Sequence, residues 1–142
     1  MPCKSQTRYD IDNCDGDAIK ASLGIDWSVE FTVGVEGGDV INVALQVVDA
    51  EGADLAAAKS FLAWLSDTAG AEPTTTAPSA GTIIGTDGFI VYEPLADIVL
   101  ELLTDSDGVL DLDIEEAGVD TWFLNVRLPD GSIVTSATIT FA

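Results

Sequence analysis

The feature that most constrains this chain is a period of two. In "VINVALQVV", Ile41, Val43, Leu45 and Val47 alternate with Asn42, Ala44 and Gln46, and only an extended chain sends every second side chain to the same face. The alternation returns in "VLDLDIE", where Leu110, Leu112 and Ile114 are separated by Asp111 and Asp113. It returns again near the end, where Trp122, Leu124, Val126 and Leu128 line one face, and Ile133, Ala137, Ile139 and Phe141 are expected to answer from the returning strand. A strand with one apolar face needs a second such face to cover it, so a series of them predicts two packed sheets.

Turn chemistry sets the spacing. Three β-prone pairs, "TIIGTDGFIVYEP", "IVLELLTDSDGVLDLDI" and "TWFLNVRLPDGSIVTSATITFA", each surround an Asp-Gly, the dipeptide that supplies the positive backbone angles of a tight hairpin. In the last pair, Pro129-Asp130-Gly131 fits a type I turn closed by a glycine bulge. Seven or eight short strands at this spacing predict an all-β fold, an Ig-like antiparallel β-sandwich over residues 29–142. "SFLAWLSD" suits a central strand covered on both faces. Its Trp64 falls on the presumed third strand, where such sandwiches often bury a tryptophan, although a plain core aromatic explains it as well. "EGADLAAAK" precedes that strand as a connection or, because alanine favours helix, as a short helix. "AGAEPTTTAPSAG" is too poor in large apolar residues to pack and is expected to be exposed.

Residues 1–28 have a different character and are expected to form an N-terminal arm, with a short helix over Asp17 to Leu23 capped by Asp15 or Asp17. The arm holds Lys4, Arg8 and Lys20, three of the five basic residues of the chain. Cys3 and Cys14 both lie within it. They are too close in sequence for an inter-sheet disulfide and lack the spacing of a zinc or redox site, so reduced thiols are expected, with a local disulfide only in an oxidising compartment.

The run "LTDSDGVLDLDIEE" looks at first like a calcium loop. With Gly108 in the sixth position, Asp105 and Asp107 fall on the third and fifth, but the first and twelfth positions are Leu103 and Ile114, so the strongest ligands are missing. "DIDNCDGD" fails similarly, with Ile11 in the first position. A hairpin with a solvated acidic face is the expectation; a weak ion site on Asp105, Asp107 or Asp111 is the alternative.

Charge narrows the partners. With 25 acids against 5 bases, the net charge of the 142-residue chain is −20, which repels phosphate backbones and anionic lipid surfaces. Neither nucleic acid nor membrane is expected as a partner. Such a surface suits a saline setting or a basic protein partner. No apolar run reaches the length of a membrane span, and the first residues lack a signal-peptide core, so a soluble protein made in a cytoplasm is expected. The chain has no histidine, which removes Ser-His-Asp and Cys-His arrangements and the commonest general base. Gly34, Gly37 and Gly38 lie between strands with no following helix or lysine to cradle phosphate. No catalytic residue, cofactor site or metal site is expected, and the chain is read as a non-enzyme.

From "DVINVALQVVDAEGADL" to the ending "EAGVDTWFLNVRLPDGSIVTSATITFA", about residues 39–142, the chain resembles a β-rich module of tailed-bacteriophage virion proteins. The resemblance implies a capsid cement or decoration protein that is assembled in the host cytoplasm, sits on the capsid surface and binds the major capsid protein. It also allows association with further copies of itself. A tail or head-fibre component is the alternative, as is an Ig-like module binding cell-surface glycans. A glycan binder should expose clustered aromatics, and most of the aromatics here are expected on inward positions. The arm lies outside this resemblance, and on its composition alone Lys4, Arg8, Tyr9 and Lys20 are the expected capsid contacts.

Overall fold

The computed structural model describes residues 13–142, with side chains from residue 18 onward. One helix, α1 (Asn13–Leu23), precedes ten strands: β1 (Ser28–Val33), β2 (Val40–Val48), β3 (Ser60–Ser66), β4 (Gly81–Ile84), β5 (Phe89–Leu95), β6 (Val99–Leu103), β7 (Val109–Glu115), β8 (Thr121–Arg127), β9 (Ile133–Thr135) and β10 (Ile139–Thr140). They form two antiparallel sheets. One runs β1-β2-β7-β4; the other runs β10-β8-β3-β6-β5, with β9 also paired to β8. The expected all-β sandwich is therefore the fold.

The strand orders identify the Ig pattern. β9 and β10 follow one another along β8, interrupted at Ser136, whose N–H donates to the Leu124 carbonyl and whose hydroxyl accepts from the Leu124 N–H. Counted as one broken strand, they complete a seven-strand frame. β1, β2, β7 and β4 take the A, B, E and D positions, while β3, β8 and β9/β10 take C, F and G. The hairpin β5–β6 is inserted between the D and E strands and extends the second sheet beyond β3. Both strands lie in runs read as β-prone, and with β9 and β10 counted as one the described residues hold nine strands rather than the expected seven or eight.

Alternation builds the core as anticipated. Val43, Leu45, Leu110, Leu112 and Ile114 from one sheet meet Ala63, Leu65, Leu100, Leu102, Trp122, Leu124 and Val126 from the other, all fully buried. Trp122 packs edge-on to Phe141, with ring centroids 6.0 Å apart. Trp27, placed in the arm on sequence grounds, is buried against Phe61 at 6.2 Å and belongs to the core. Ile133 and Ala137 do not answer the β8 face as expected; both are exposed, because the break at Ser136 shifts the alternation of the returning strand. Ile139 and Phe141 beyond it point inward.

Of the three Asp-Gly turns, only the last closes a hairpin. The Gly131 N–H donates to the Leu128 carbonyl at 2.9 Å, the Leu128 N–H donates to the Ser132 carbonyl at 2.8 Å, and Gly131 has φ +87°, which is the expected bulged type I turn joining β8 to β9. The hairpins expected at Asp87-Gly88 and at Asp107-Gly108 are corrected by the pairing. β4 belongs with β7 while β5 belongs with β6, and β6 lies in the opposite sheet from β7. Both turns carry the chain across the sandwich, because the flanking strands need their apolar faces opposed rather than side by side. At Gly108, the carbonyl accepts from the β2 residue Val47 at 2.8 Å, while the Thr104 N–H donates to Lys59 beside β3 at 3.0 Å. These bonds commit the two ends of the turn to different sheets.

α1 extends the expected helix toward the N-terminus by four residues and ends in a Schellman motif. The Ile25 N–H donates to the Lys20 carbonyl at 2.9 Å, the Gly24 N–H donates to Ala21 at 3.1 Å, and Gly24 has φ +68°. With α1 starting at Asn13, the expected caps Asp15 and Asp17 fall within the helix rather than at its start. "EGADLAAAK" forms no helix. The Asp49 carboxylate accepts from the Glu51 and Ala53 N–H groups at 3.0 and 2.9 Å, holding a turn in place of a first helical turn.

Candidate functional site

The two sheets present unlike outer faces. On the four-stranded sheet, the residues that alternate outward include Glu30 and Thr32 on β1, Asn42, Ala44 and Gln46 on β2, and Asp111, Asp113 and Glu115 on β7. Four of these groups are bonded to one another or to the backbone: Asn42, Asp111, Asp113 and Gln46. Asn42 Nδ2 donates to Asp111 at 3.1 Å and to Asp113 at 2.7 Å, while the second oxygen of Asp111 accepts from the Thr86 and Asp87 N–H groups at 2.8 and 2.6 Å. Burial alone would raise the Asp111 pKa, but those bonds outweigh it and hold the carboxyl below its ordinary value. This face is wet and acidic, with Asp111 and Asp113 held by hydrogen bonds at its centre.

The outer face of the six-stranded sheet carries most of the large exposed apolar side chains of the two sheets, with Arg127 and Glu101 among them. Register places its outward side chains in rows across the strands. Ile133, Arg127, Leu62, Glu101 and Tyr92 form one row, Trp64, Val99 and Leu95 the next, and Leu103 and Phe89 flank the first on the other side. Phe89 and Tyr92 are 61% and 62% exposed, and Leu62, Leu95 and Ile133 are also exposed. At half exposure these five large side chains together offer on the order of 400 Å² of apolar surface, interrupted in the first row by Arg127 and Glu101 and comparable in amount to the patches that are often functional on a monomer. The expectation that aromatics point mostly inward fails on β5.

Trp64 organises one end of this face. It is buried but lies on the outer side of β3, so of the two readings of it, inter-sheet tryptophan or plain core aromatic, neither places it; Trp122 on β8 fills the space between the sheets. The loop after β3 covers Trp64. Its indole N–H donates to the Ala71 carbonyl at 2.7 Å, Thr74 N–H donates to the Leu65 carbonyl at 2.8 Å, and Thr74 Oγ1 donates to Asp67 at 2.8 Å. The loop expected to be merely exposed is thus pinned, with Thr74 and Pro78 buried. Between it and the sheet runs an apolar groove of about 340 Å³ lined by Leu62, Trp64, Pro73, Val99 and Ile133, with Glu72 and Arg127 as its charged residues. The Arg127 guanidinium lies over the Trp64 ring, 5.8 Å from its centroid, a cation–π contact that holds it against the apolar wall.

The remaining sequence candidates are dispersed. Lys4, Arg8 and Tyr9 lie outside the described residues. Lys20 is inside them, on the last turn of α1, and forms the one ion pair among the described residues, 3.0 Å from Asp130 in the β8–β9 turn. Bonds from the Ser132 hydroxyl and N–H, with Lys20, hold the Asp130 pKa down to about 2. Asp105 and Asp107 stay in the sheet-crossing turn, where one Asp105 oxygen accepts from the Asp107 and Val109 N–H groups at 2.9 Å each. Asp111 is tied to Thr86 and Asp87 instead. Among the described residues no group of three or more acids and cysteines is placed to hold a metal ion, and no helix is long and apolar enough to cross a membrane.

No protein-family model matches the chain. No curated protein matches it. Among solved structures, the chain is similar to the GAE domain of GGA2p from Saccharomyces cerevisiae, at 12% identity over 82% of this chain and 87% of that one, with a TM-score of 0.22. A likeness this distant carries no functional argument.

Proposed function

We propose that this protein is a non-enzymatic structural component of a tailed-phage virion, a cement or decoration protein that binds the major capsid protein at the capsid surface after assembly in the host cytoplasm. The observation that supports the reading is the contrast between its outer faces: one sheet presents a polar, acidic face whose Asp111 and Asp113 are tied down by hydrogen bonds, and the other leaves Leu62, Phe89, Tyr92, Leu95 and Ile133 exposed. A domain whose core is already closed gains nothing in its own stability from that second face. Its use is in contact with something else.

The size of the face fits a lattice partner. Burying about 400 Å² of apolar surface yields roughly 10 kcal/mol before costs, and association consumes about 4–15 kcal/mol of that. One isolated contact is therefore weak, whereas a protein held on a repeating shell by more than one contact gains from effective concentration. Quantitative gels of purified virions encoding the chain test this reading. Many copies in fixed ratio to the major capsid protein support it; a few copies per particle indicate a tail or fibre part, and absence from particles rejects the virion role. The exposed Phe89 and Tyr92 also favour a second reading, a glycan-binding module that stacks sugars on β5, and binding to a glycan array by the isolated protein would support that one instead.

A further inference from the structure

We infer that the outer face of the six-stranded sheet docks a cationic, apolar segment of a partner protein; the identity of that partner as a capsid subunit rests on the function proposed above, but the chemistry of the contact does not. The occupant must cover Leu62, Val99, Ile133, Tyr92, Leu95 and Phe89, so it must bring apolar side chains. Its charge follows from the surroundings. Glu101 stands in the middle row between Leu62 and Tyr92, and Glu72 lines the groove. Arg127 faces them as the only base in these rows and is occupied by the Trp64 ring, while Lys59 is turned onto the Trp27 ring at 5.7 Å. A chain of net charge −20 confronting an identical chain would set Glu101 and its neighbours against one another. Lysine or arginine between apolar residues resolves the same contact.

Docking is onto the face and not along the edge. On the side of Phe89, Tyr92 and Leu95 the edge strand is β5, but its register to β6 shifts between Ile90 and Tyr92 and again between Tyr92 and Leu95, and Pro94 has no N–H to donate. Bulges and a proline deny an added strand the regular row of donors and acceptors it needs. Side chains entering the groove beside Trp64 supply the specificity.

The test uses the full chain and two short blocked peptides, one alternating leucine with lysine and the other leucine with glutamate, followed by amide chemical shifts and calorimetry. The lysine peptide is expected to perturb Leu62, Val99, Glu101 and Tyr92, and the glutamate peptide to bind far more weakly. Leu62→Asp makes the protein more negative, so non-specific attraction of a cation would increase; docking on this face predicts at least about a tenfold loss of affinity. Glu101→Lys is expected to weaken the lysine peptide and to favour the glutamate one. Ile83→Asp, on the other sheet, is expected to change nothing, and unaltered circular dichroism and melting establish that each variant is folded. Perturbations mapping to Asn42 and Asp113, equal binding by the Leu62→Asp protein, equal binding of the two peptides, or a dimer in sedimentation that Leu62→Asp dissolves would each overturn the inference. A protein abundant in virions that ignores both peptides defeats only this assignment; one that binds the lysine peptide but is absent from virions defeats only the virion role.

Discussion

Replacing Gly108 with alanine measures how tightly the two sheets are joined at the acidic turn. Gly108 has φ +78°, a conformation that costs an L-residue about 1–2 kcal/mol. The new Cβ would run into the Leu55 carbonyl oxygen, with Gln46 Nε2 and Val47 Cβ each 3.2 Å away. Leu55 is poorly placed to retreat, because its own N–H donates to the Val47 carbonyl at 2.9 Å. Overpacking of this kind adds about 1–3 kcal/mol, for a total of roughly 2–5 kcal/mol. Gly131 is the internal control. Its φ is +87° but nothing lies within 4 Å of a Cβ there, so Gly131→Ala should cost only the backbone component, about 1–2 kcal/mol. Urea unfolding of both variants beside the wild type gives the two values directly. At roughly 3–4 °C per kcal/mol for a chain of this size, Gly108→Ala should melt about 10 °C lower and Gly131→Ala about 5 °C lower. Equal losses at the two glycines would mean that Gly108 sits in an open hairpin turn like Gly131, and the assignment of this turn as a sheet crossing would be wrong.

Asp105→Asn keeps the oxygen that accepts from Asp107 and Val109 and should leave stability nearly unchanged, whereas Asp105→Ala should cost about 1 kcal/mol; a melting temperature that falls on calcium chelation in the wild type alone would instead reveal an ion site. Glu116 accepts from the Ser79 N–H at 2.8 Å, the Ser79 hydroxyl at 3.0 Å and the Gly118 N–H at 2.6 Å, and these bonds, the Ser79 N–H foremost, lower its pKa. Because the folded-state pKa lies below the unfolded one, its contribution is present above about pH 4.5 and is lost as pH falls through the folded value; Glu116→Gln should cost about 1–2 kcal/mol near neutrality, and a gap that persists unchanged through acid titration would contradict this. Asp130→Asn breaks the partly exposed pair with Lys20 and should cost under about 1 kcal/mol, with the difference fading as pH drops from about 4 toward the folded pKa of about 2; hydrogen exchange in α1 reports the release. With a net charge of −20, the melting temperature should rise from dilute buffer to sodium chloride near seawater strength, as screening relieves self-repulsion; a flat response removes the argument for a saline setting.

What the sequence determined by itself was the inward face of most strands and one complete turn. Period-two alternation in β2, β7 and β8 is a local property, since successive side chains of an extended backbone must point to opposite sides, and the residues assigned inward there are the buried ones. Pro129-Asp130-Gly131 was legible for the same reason: its geometry is set within five residues. What the sequence left open was which strand lies beside which. Asp-Gly encodes a reversal of the chain but not the sheet that the next strand joins, so the same dipeptide closes a hairpin at Gly131 and crosses the sandwich at Gly88 and Gly108. The candidate surface was hidden by the same gap. Leu62, Tyr92, Glu101, Arg127 and Ile133 are scattered along the chain, and only the register of β3, β5, β6, β8 and β9 sets them in one row. Trp64 read as a core residue because burial follows hydrophobicity in both cases. Whether a buried ring lies between the sheets or beneath a loop outside them is decided by long-range packing, and here the loop through Ala71 and Thr74 decides it.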